Sequence, residues 1–120
     1  MEIFVIDTHA LAWFFAEDAR LSPVVDNILT LAETSTTQIL IPTLVLAELT
    51  MPVILEAIQQ SRSFIIADFG FPVFQAFLEL PSDWDLHDRI IAATAKCYSA
   101  KLITRDEVLR NSPDLETIWD

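Results

Sequence analysis

Short apolar runs alternate along the chain with stretches whose apolar residues recur at helical spacing. Four runs rich in β-branched and aromatic residues predict buried strands, at residues 3–6, 38–41, 63–67 and 101–104, and a last strand is expected within residues 115–119. Apolar residues at helical spacing predict helices between these runs, over residues 11–15, 22–32, 43–51, from 52 onward, 71–80, 86–98 and, briefly, 107–110. This alternation predicts a single α/β domain over residues 1–120, with a short, mainly parallel sheet covered on both faces.

Local signals mark where several helices begin. Ser22-Pro23 predicts a helix start, with Ser as the N-cap and Pro at the first helical position. Pro52 predicts a new helix rather than a continuation of the one before it. The stretch from Asp85 to Asp88 resembles a capping box, with Asp85 at the N-cap and an acid three residues later.

Composition then excludes several classes of protein. The chain carries 18 Asp or Glu against 7 Lys or Arg, a formal net charge of −11, but 52% of its residues are apolar, which rules out a disordered acidic tail. An acidic surface repels phosphate backbones, although where the acids lie matters more than how many there are. The single glycine, Gly70, excludes a P-loop and the dinucleotide-binding fingerprint.

The expected setting is the cytoplasm. The single cysteine, Cys97, cannot form an internal disulfide. The first apolar run lacks a preceding basic region, which is not typical of a signal peptide, and no apolar run approaches the roughly 20 residues of a membrane helix.

Acidic residues recur where a parallel sheet would place an active site. Asp7 directly follows the first strand, and Asp106 follows the fourth, two residues after Thr104. Ligands bind beyond the carboxyl ends of parallel strands, so both carboxylates occupy favourable positions. Each could instead simply cap the following helix. Asp88 lies on the first turn of a largely apolar helix and could either join such a site or complement the helix dipole.

Glu48 is a fourth candidate because nearly all its neighbours are apolar. It lies either on the one solvated stripe of its helix or in a cleft, where a carboxylate needs a cation or a proton partner. Carboxylates that converge stay ionised together only around a multivalent cation. Oxygen ligands fit Mg²⁺ or Mn²⁺ rather than zinc, and these metals typically serve phosphodiester hydrolysis.

Four blocks of sequence resemble the PIN domain, and in particular the VapC-type toxin ribonucleases of prokaryotic toxin–antitoxin pairs. The blocks keep the family's order and cover residues 5–13, 46–49, 87–95 and 102–106. The resemblance implies a three-layer α/β/α sandwich and Mg²⁺- or Mn²⁺-dependent endonuclease action on RNA, with a metal-bound water as nucleophile. It also implies a homodimer inhibited by a cognate antitoxin. The residues that it implies as catalytic and metal-binding are Asp7, Glu48, Asp88 and Asp106, with Thr104 as a supporting hydroxyl.

Two departures accompany the resemblance. Ser99 stands where the family often has glycine, and because a left-handed helix end at a non-glycine residue costs about 1 kcal/mol, a different helix end is expected there. The stretch 50–61 is short and carries Pro52, which would reshape the dimer face or the RNA cleft.

Arg89 and Arg105 each adjoin a proposed ligand. They would either hold RNA phosphates near the metal, a supporting role for Arg89 in particular, or pair with neighbouring acids, which is favoured for Arg105.

Three functions are therefore weighed. The first is a metal-dependent ribonuclease toxin. The second is a PIN-fold module that binds RNA or an antitoxin but cleaves poorly. The third, a phosphatase or other phosphoryl-transfer domain on a similar sheet, is disfavoured because Thr8-His9 follow Asp7 and leave no second acid at Asp-x-Asp spacing.

Overall fold

The computed structural model describes residues 2–120, in which a five-stranded sheet is flanked by helices. The strands are β1 (Ile3–Ile6), β2 (Gln38–Pro42), β3 (Phe64–Ala67), β4 (Lys101–Ile103) and β5 (Thr117–Ile118). The helices are α1 (Thr8–Ala16), α2 (Pro23–Leu31), α3 (Thr43–Leu49), α4 (Pro52–Gln60), α5 (Phe71–Leu78), α6 (Leu86–Cys97) and α7 (Glu107–Arg110), with a 3-10 turn at Ala32–Thr34. Every predicted strand and helix is present, with boundaries shifted by at most a few residues.

The sheet has the order β3-β2-β1-β4-β5, and all four strand pairings are parallel. The α/β prediction with a mainly parallel sheet is therefore confirmed. The chain first runs outward from β1 to β3 and then returns to place β4 on the other side of β1. This reversal creates a crevice beyond the carboxyl ends of β1 and β4, where ligands bind in open parallel sheets.

The core covers both faces of the central strands. Phe4, Val5 and Ile6 are consecutive and all buried, and because successive strand residues point to opposite faces, helices must cover both sides. Helix α6 packs against β1 and β4, and α5 packs against α6. Strand β3 differs, because it lies at the edge of the sheet and its Ile65 and Ile66 are exposed.

The predicted helix starts are confirmed by their hydrogen bonds. The Ser22 Oγ accepts from the Val25 N–H at 3.4 Å, and the Asp85 carboxylate accepts from the N–H groups of His87 and Asp88. Helix α4 begins at Pro52, separate from α3, as predicted.

Three helix ends take left-handed backbone at residues other than glycine. Glu17 ends α1 with φ of 53°, Thr50 ends α3 with φ of 48°, and Ser99 follows α6 with φ of 52°. The expectation of a different helix end at Ser99 is therefore wrong. The left-handed turn lets the Ala100 N–H reach the Ala95 carbonyl at 2.9 Å, which satisfies a terminal carbonyl of α6.

No helix within residues 2–120 combines the length and the apolar character that crossing a membrane requires.

Candidate active site

A cleft of about 440 Å³ opens at the crevice between the ends of β1 and β4. Three of the four predicted carboxylates, those of Asp7, Asp88 and Asp106, line it. The remaining lining residues are His9, Trp13, Arg105 and Glu107. A larger cavity of about 770 Å³ lies between the end of α1 and the start of α2, but it contains none of the predicted carboxylates. We therefore place the candidate site by its chemistry rather than by its volume.

Asp7 both caps a helix and faces the cleft. Its Oδ1 accepts from the Ala10 N–H at 2.9 Å, so it is the N-cap of α1, and only 9% of the residue is exposed. Burial raises the pKa of the Asp7 carboxyl, while hydrogen bonds from Thr104 and Ala10 oppose that increase. The two interpretations of Asp7, helix cap and site carboxylate, are therefore compatible.

Thr104 links the ends of the two central strands. It is fully buried, and its Oγ1 accepts from the Asp106 N–H at 3.1 Å. The same hydroxyl donates to the Asp7 carboxylate, which lowers the pKa of Asp7. The Asp7 N–H in turn donates to the Ile103 carbonyl at 3.2 Å. These contacts tie Asp7, at the end of β1, to the segment with Thr104 and Asp106 that follows β4.

Asp106 caps the next helix in the same way as Asp7. Its Oδ1 accepts from the Leu109 N–H at 3.1 Å, at the start of α7. Its negative charge raises the pKa values of both Asp7 and Asp88. Its carboxylate is therefore close enough to repel both.

Asp88 shows most directly that the acids converge. Its pKa is raised to about 6, first by burial and then by the charges of Asp106, Asp85, Asp7 and Glu48, in that order. Each of the other three predicted carboxylates thus contributes to the repulsion felt by Asp88. In this structure the cleft holds more negative charge than its protein surroundings compensate.

Glu48 lies at the margin of this cluster rather than among the residues that line the cleft. Its side chain is 29% exposed; Oε1 accepts from the Thr8 hydroxyl at 2.6 Å, and Oε2 lies 3.1 Å from His87 Nδ1. The sequence offered two alternatives for Glu48, a solvated stripe of its helix or a cleft. Neither describes it fully, because the side chain is partly solvated and also contacts Thr8 and His87, which adjoin Asp7 and Asp88 in the sequence. Sequence reasoning did not predict these contacts of Thr8 and His87; the only available signal was their adjacency to Asp7 and Asp88.

The two arginines beside the predicted ligands occupy different places. The Arg89 guanidinium lies 3.9 Å from the centre of the Phe77 ring, and its Nε is buried without a hydrogen-bond partner. Arg105 lines the cleft, and its guanidinium lies 5.6 Å from the centre of the Trp13 ring. Within residues 2–120, no carboxylate forms an ion pair with either arginine. The pairing favoured for Arg105 is therefore wrong.

The donor set suits a hard divalent cation. Within residues 2–120, no group of three His, Cys, Asp or Glu side chains is arranged to hold a metal ion. Mg²⁺ does not require such a group, since it retains several waters and is usually bound through one or two carboxylates together with substrate phosphates. The oxygen-rich lining of the cleft and the mutual repulsion of its acids therefore fit Mg²⁺ or Mn²⁺ better than zinc.

The chain belongs to the PIN domain family, whose model matches residues 4–115. The resemblance to this family is thereby confirmed, and with it the fold. No protein with a curated description matches the chain.

Several solved structures share this fold. The VapBC2 complex from Rickettsia felis, bound to a DNA fragment from its promoter, has a TM-score of 0.75 and 21% identity, over 98% of this chain and 99% of that one. FitAcB from Neisseria gonorrhoeae has a TM-score of 0.71 and 21% identity, over 98% and 96%. A toxin–antitoxin complex from Klebsiella pneumoniae has a TM-score of 0.65 and 22% identity, over 98% and 96%.

Proposed function

We propose that this chain is a Mg²⁺- or Mn²⁺-dependent endoribonuclease that acts as the toxin of a toxin–antitoxin pair. The observation that carries this proposal is the convergence of Asp7, Asp88 and Asp106 in one cleft at the reversal of strand order, with Glu48 at its margin. Carboxylates gathered this closely destabilise the folded protein unless a counter-charge is bound. PIN domains are generally nucleases that use divalent metals, which supplies that counter-charge.

Asp7, Asp88 and Asp106 would hold the metal, with Glu48 as a fourth catalytic carboxylate. A bound divalent cation would neutralise charge on the phosphodiester and lower the pKa of an attacking water. The protein orients the carboxylates. Thr104 holds Asp7 and Asp106 in register, while Thr8 and His87 fix both oxygens of Glu48. The hydrogen bonds to Asp7 also favour its ionised form, which a cation requires.

The proposed partners are an antitoxin and a second copy of the chain. The solved structures that share the fold include one described as a toxin–antitoxin complex. A net charge of −11 suits a partner with a basic segment. The homodimer proposal is supported by exposed apolar side chains near and on α4 and α5, where Val53 is 77% and Phe71 68% exposed.

The test of this function is cleavage of RNA by the purified chain. We expect cleavage with Mn²⁺ or Mg²⁺, none with a chelator, and none by the Asp7→Asn and Asp88→Asn variants. Asp114→Asn is a matched control, because Asp114 lies in an exposed turn and does not line the cleft. Cleavage that survives chelation, or survives both cleft substitutions, would contradict the metal-dependent mechanism.

The second candidate is a PIN-fold module that binds RNA or an antitoxin but cleaves poorly. It is favoured by the lack, within residues 2–120, of a group of three metal-binding side chains already in place. RNA or antitoxin binding by the wild-type chain without cleavage of any RNA, despite measurable metal binding, would support it. Membership of the PIN domain family gives no support to the phosphatase alternative.

A further inference from the structure

A second pocket, of about 430 Å³, adjoins the carboxylate cleft. The two share Arg105 and Glu107 as lining residues. Arg20 and Arg110 also line the second pocket, so it gathers three of the seven basic residues of a chain with net charge −11. We define these three side chains, Arg20, Arg105 and Arg110, as the arginine pocket.

We infer that the arginine pocket binds a phosphate of the RNA strand beside the bond that is cleaved. This inference rests on the proposed ribonuclease function, because it places the flanking strand of the same substrate. Guanidinium groups match phosphate oxygens in geometry and stay charged at all working pH values. A pocket that shares walls with the cleft is well placed for a neighbouring nucleotide.

Aromatic side chains hold two of these guanidinium groups in place. The guanidinium of Arg20 lies 4.9 Å and that of Arg105 lies 5.6 Å from the centre of the Trp13 ring. Trp13 in turn packs on Trp119, with ring centres 6.1 Å apart. These contacts reduce the freedom of long side chains, so less conformational entropy is lost when an anion binds.

The arginines of the pocket differ in the hydrogen bonds that they already form with other groups of the protein. Arg20 forms a two-point contact with Asp18, at 3.0 and 2.7 Å, which lowers the pKa of Asp18 to about 2. The Arg110 guanidinium donates only to the Trp119 carbonyl, at 3.5 Å, within the described chain. Arg105 and Arg110 are therefore the arginines most available to an anion.

Two carboxylates also line the pocket. Asp120 accepts a hydrogen bond from the Ser22 hydroxyl, so its charge is partly satisfied. Glu107 is exposed and accepts no side-chain hydrogen bond within residues 2–120. The negative charge of Glu107 therefore opposes phosphate binding, and removing that charge should strengthen phosphate binding.

The other basic residues do not offer an equivalent site. Lys96 pairs with Glu79 at 3.7 Å, and Lys101 pairs with Glu2 at 3.4 Å and Glu116 at 3.8 Å. Arg62 lies two positions before the start of β3. Because the strands are parallel, it lies at their amino ends, whereas the cleft lies beyond their carboxyl ends. Arg62 is thus a suitable control for loss of one positive charge.

The experiment measures binding of a labelled single-stranded oligoribonucleotide by fluorescence anisotropy between 50 and 200 mM salt, roughly the range over which phosphate contacts dominate. All variants carry Asp7→Asn, so that cleavage does not compete. Log affinity falls as log salt rises, and each lost phosphate contact should lower the magnitude of this slope by about 0.7. We expect Arg105→Gln with Arg110→Gln, which together remove the contact to one phosphate, to lower the slope by about 0.7, and Arg62→Gln to leave it unchanged. Glu107→Gln should tighten binding, whereas the control Glu56→Gln should not.

A parallel measurement uses chains that retain Asp7. There Arg110→Gln should raise KM several-fold and change kcat by less than about twofold, because it removes binding that is equal in the ground and transition states. An unchanged salt slope in the double variant, with cleavage intact in the wild type, would overturn the arginine pocket and leave the proposed function standing. Altered binding without cleavage by any variant would support the pocket and reject the nuclease function. Unchanged RNA binding with lost antitoxin binding would assign the arginines to the protein partner and overturn the inference.

Discussion

Asp7 and Asp68 are both acids that directly follow an apolar strand, but they differ in burial and in hydrogen bonding. Asp7 follows β1 and is 9% exposed, with hydrogen bonds from Ala10 and Thr104. Asp68 follows β3, is exposed, and its carbonyl accepts from the Gly70 N–H at 2.9 Å in a loop. The same local sequence signal therefore yields a buried carboxylate that lines the cleft in one place and a surface turn in the other.

The position of the strand in the sheet explains the difference. Strand β1 lies at the centre, paired with both β2 and β4, so its carboxyl end meets that of β4. Strand β3 lies at the edge and pairs only with β2. An acid at the end of an edge strand has a neighbouring strand on one side only, so solvent reaches it. Strand order therefore decides which of the two carboxylates lines the cleft.

The largest expected difference between substitutions at the two strand ends is in RNA cleavage. We expect Asp7→Asn to reduce RNA cleavage by about 10³-fold, close to 4 kcal/mol of lost transition-state stabilisation, because a site carboxylate is removed. Asp68→Asn should change cleavage by less than about twofold. Rates under single-turnover conditions check both. Equal losses in the two variants would mean that the two strand ends do not differ in function.

Next in size is the contrast in packing between the two strands. Ile103→Ala, at a fully buried position of β4, should lower the free energy of unfolding by about 2 to 5 kcal/mol, from lost burial and the cavity left behind. Ile66→Ala, in β3 where the side chain is 37% exposed, should cost less than about 1 kcal/mol. Urea unfolding measures both values. A cost at Ile66 as large as that at Ile103 would show that a partner covers β3.

A smaller effect is expected where Thr104 joins the two central strands. Thr104→Val keeps the shape of the side chain but removes the hydroxyl that bonds Asp7 and the Asp106 N–H. We expect a loss of about 1 to 3 kcal/mol in unfolding free energy, because a partly buried N–H is left unpaired. Thr117→Val, on the half-buried β5, is the control and should be near neutral. Little change at Thr104 would mean that water replaces the hydroxyl.

The smallest effect is the pH dependence of stability at the cleft. The pKa of Asp88 is about 6 in the folded chain, above its usual 3.8, so ionising this carboxyl costs the folded state more than the unfolded state. The penalty is absent below about pH 4, grows up to pH 6 and is complete above it. Because Asp88 is only half-buried, the penalty should stay below about 1 kcal/mol.

Asp88→Asn removes that penalty. With chelator present, its Tm should therefore rise relative to wild type between pH 4 and pH 7, while that of Asp68→Asn should not. Added Mn²⁺ should stabilise the wild type and leave Asp88→Asn less affected. A Tm difference between Asp88→Asn and wild type that does not change with pH would contradict the repulsion in the cleft.

Much of the fold was predictable because its signals are local. Helix caps depend on residues two or three positions apart, so Ser22 and Asp85 could be recognised from their neighbours. Strands and helices follow from the period of apolar residues, which the chain carries within each element. The parallel sheet follows from their alternation, and the PIN domain family from the order of the motifs.

The tertiary structure alone decided what depends on non-local pairing. The strand order placed Asp7 beside the end of β4 and left Asp68 at the edge. It also brought Arg20 into one pocket with Arg105 and Arg110. Nothing in the local sequence links residues 85 positions or more apart, because their proximity comes from how strands pair and helices pack. The amino-acid sequence specifies which chemical groups the protein carries and which helices and strands hold them, whereas the packing of those elements brings particular groups together.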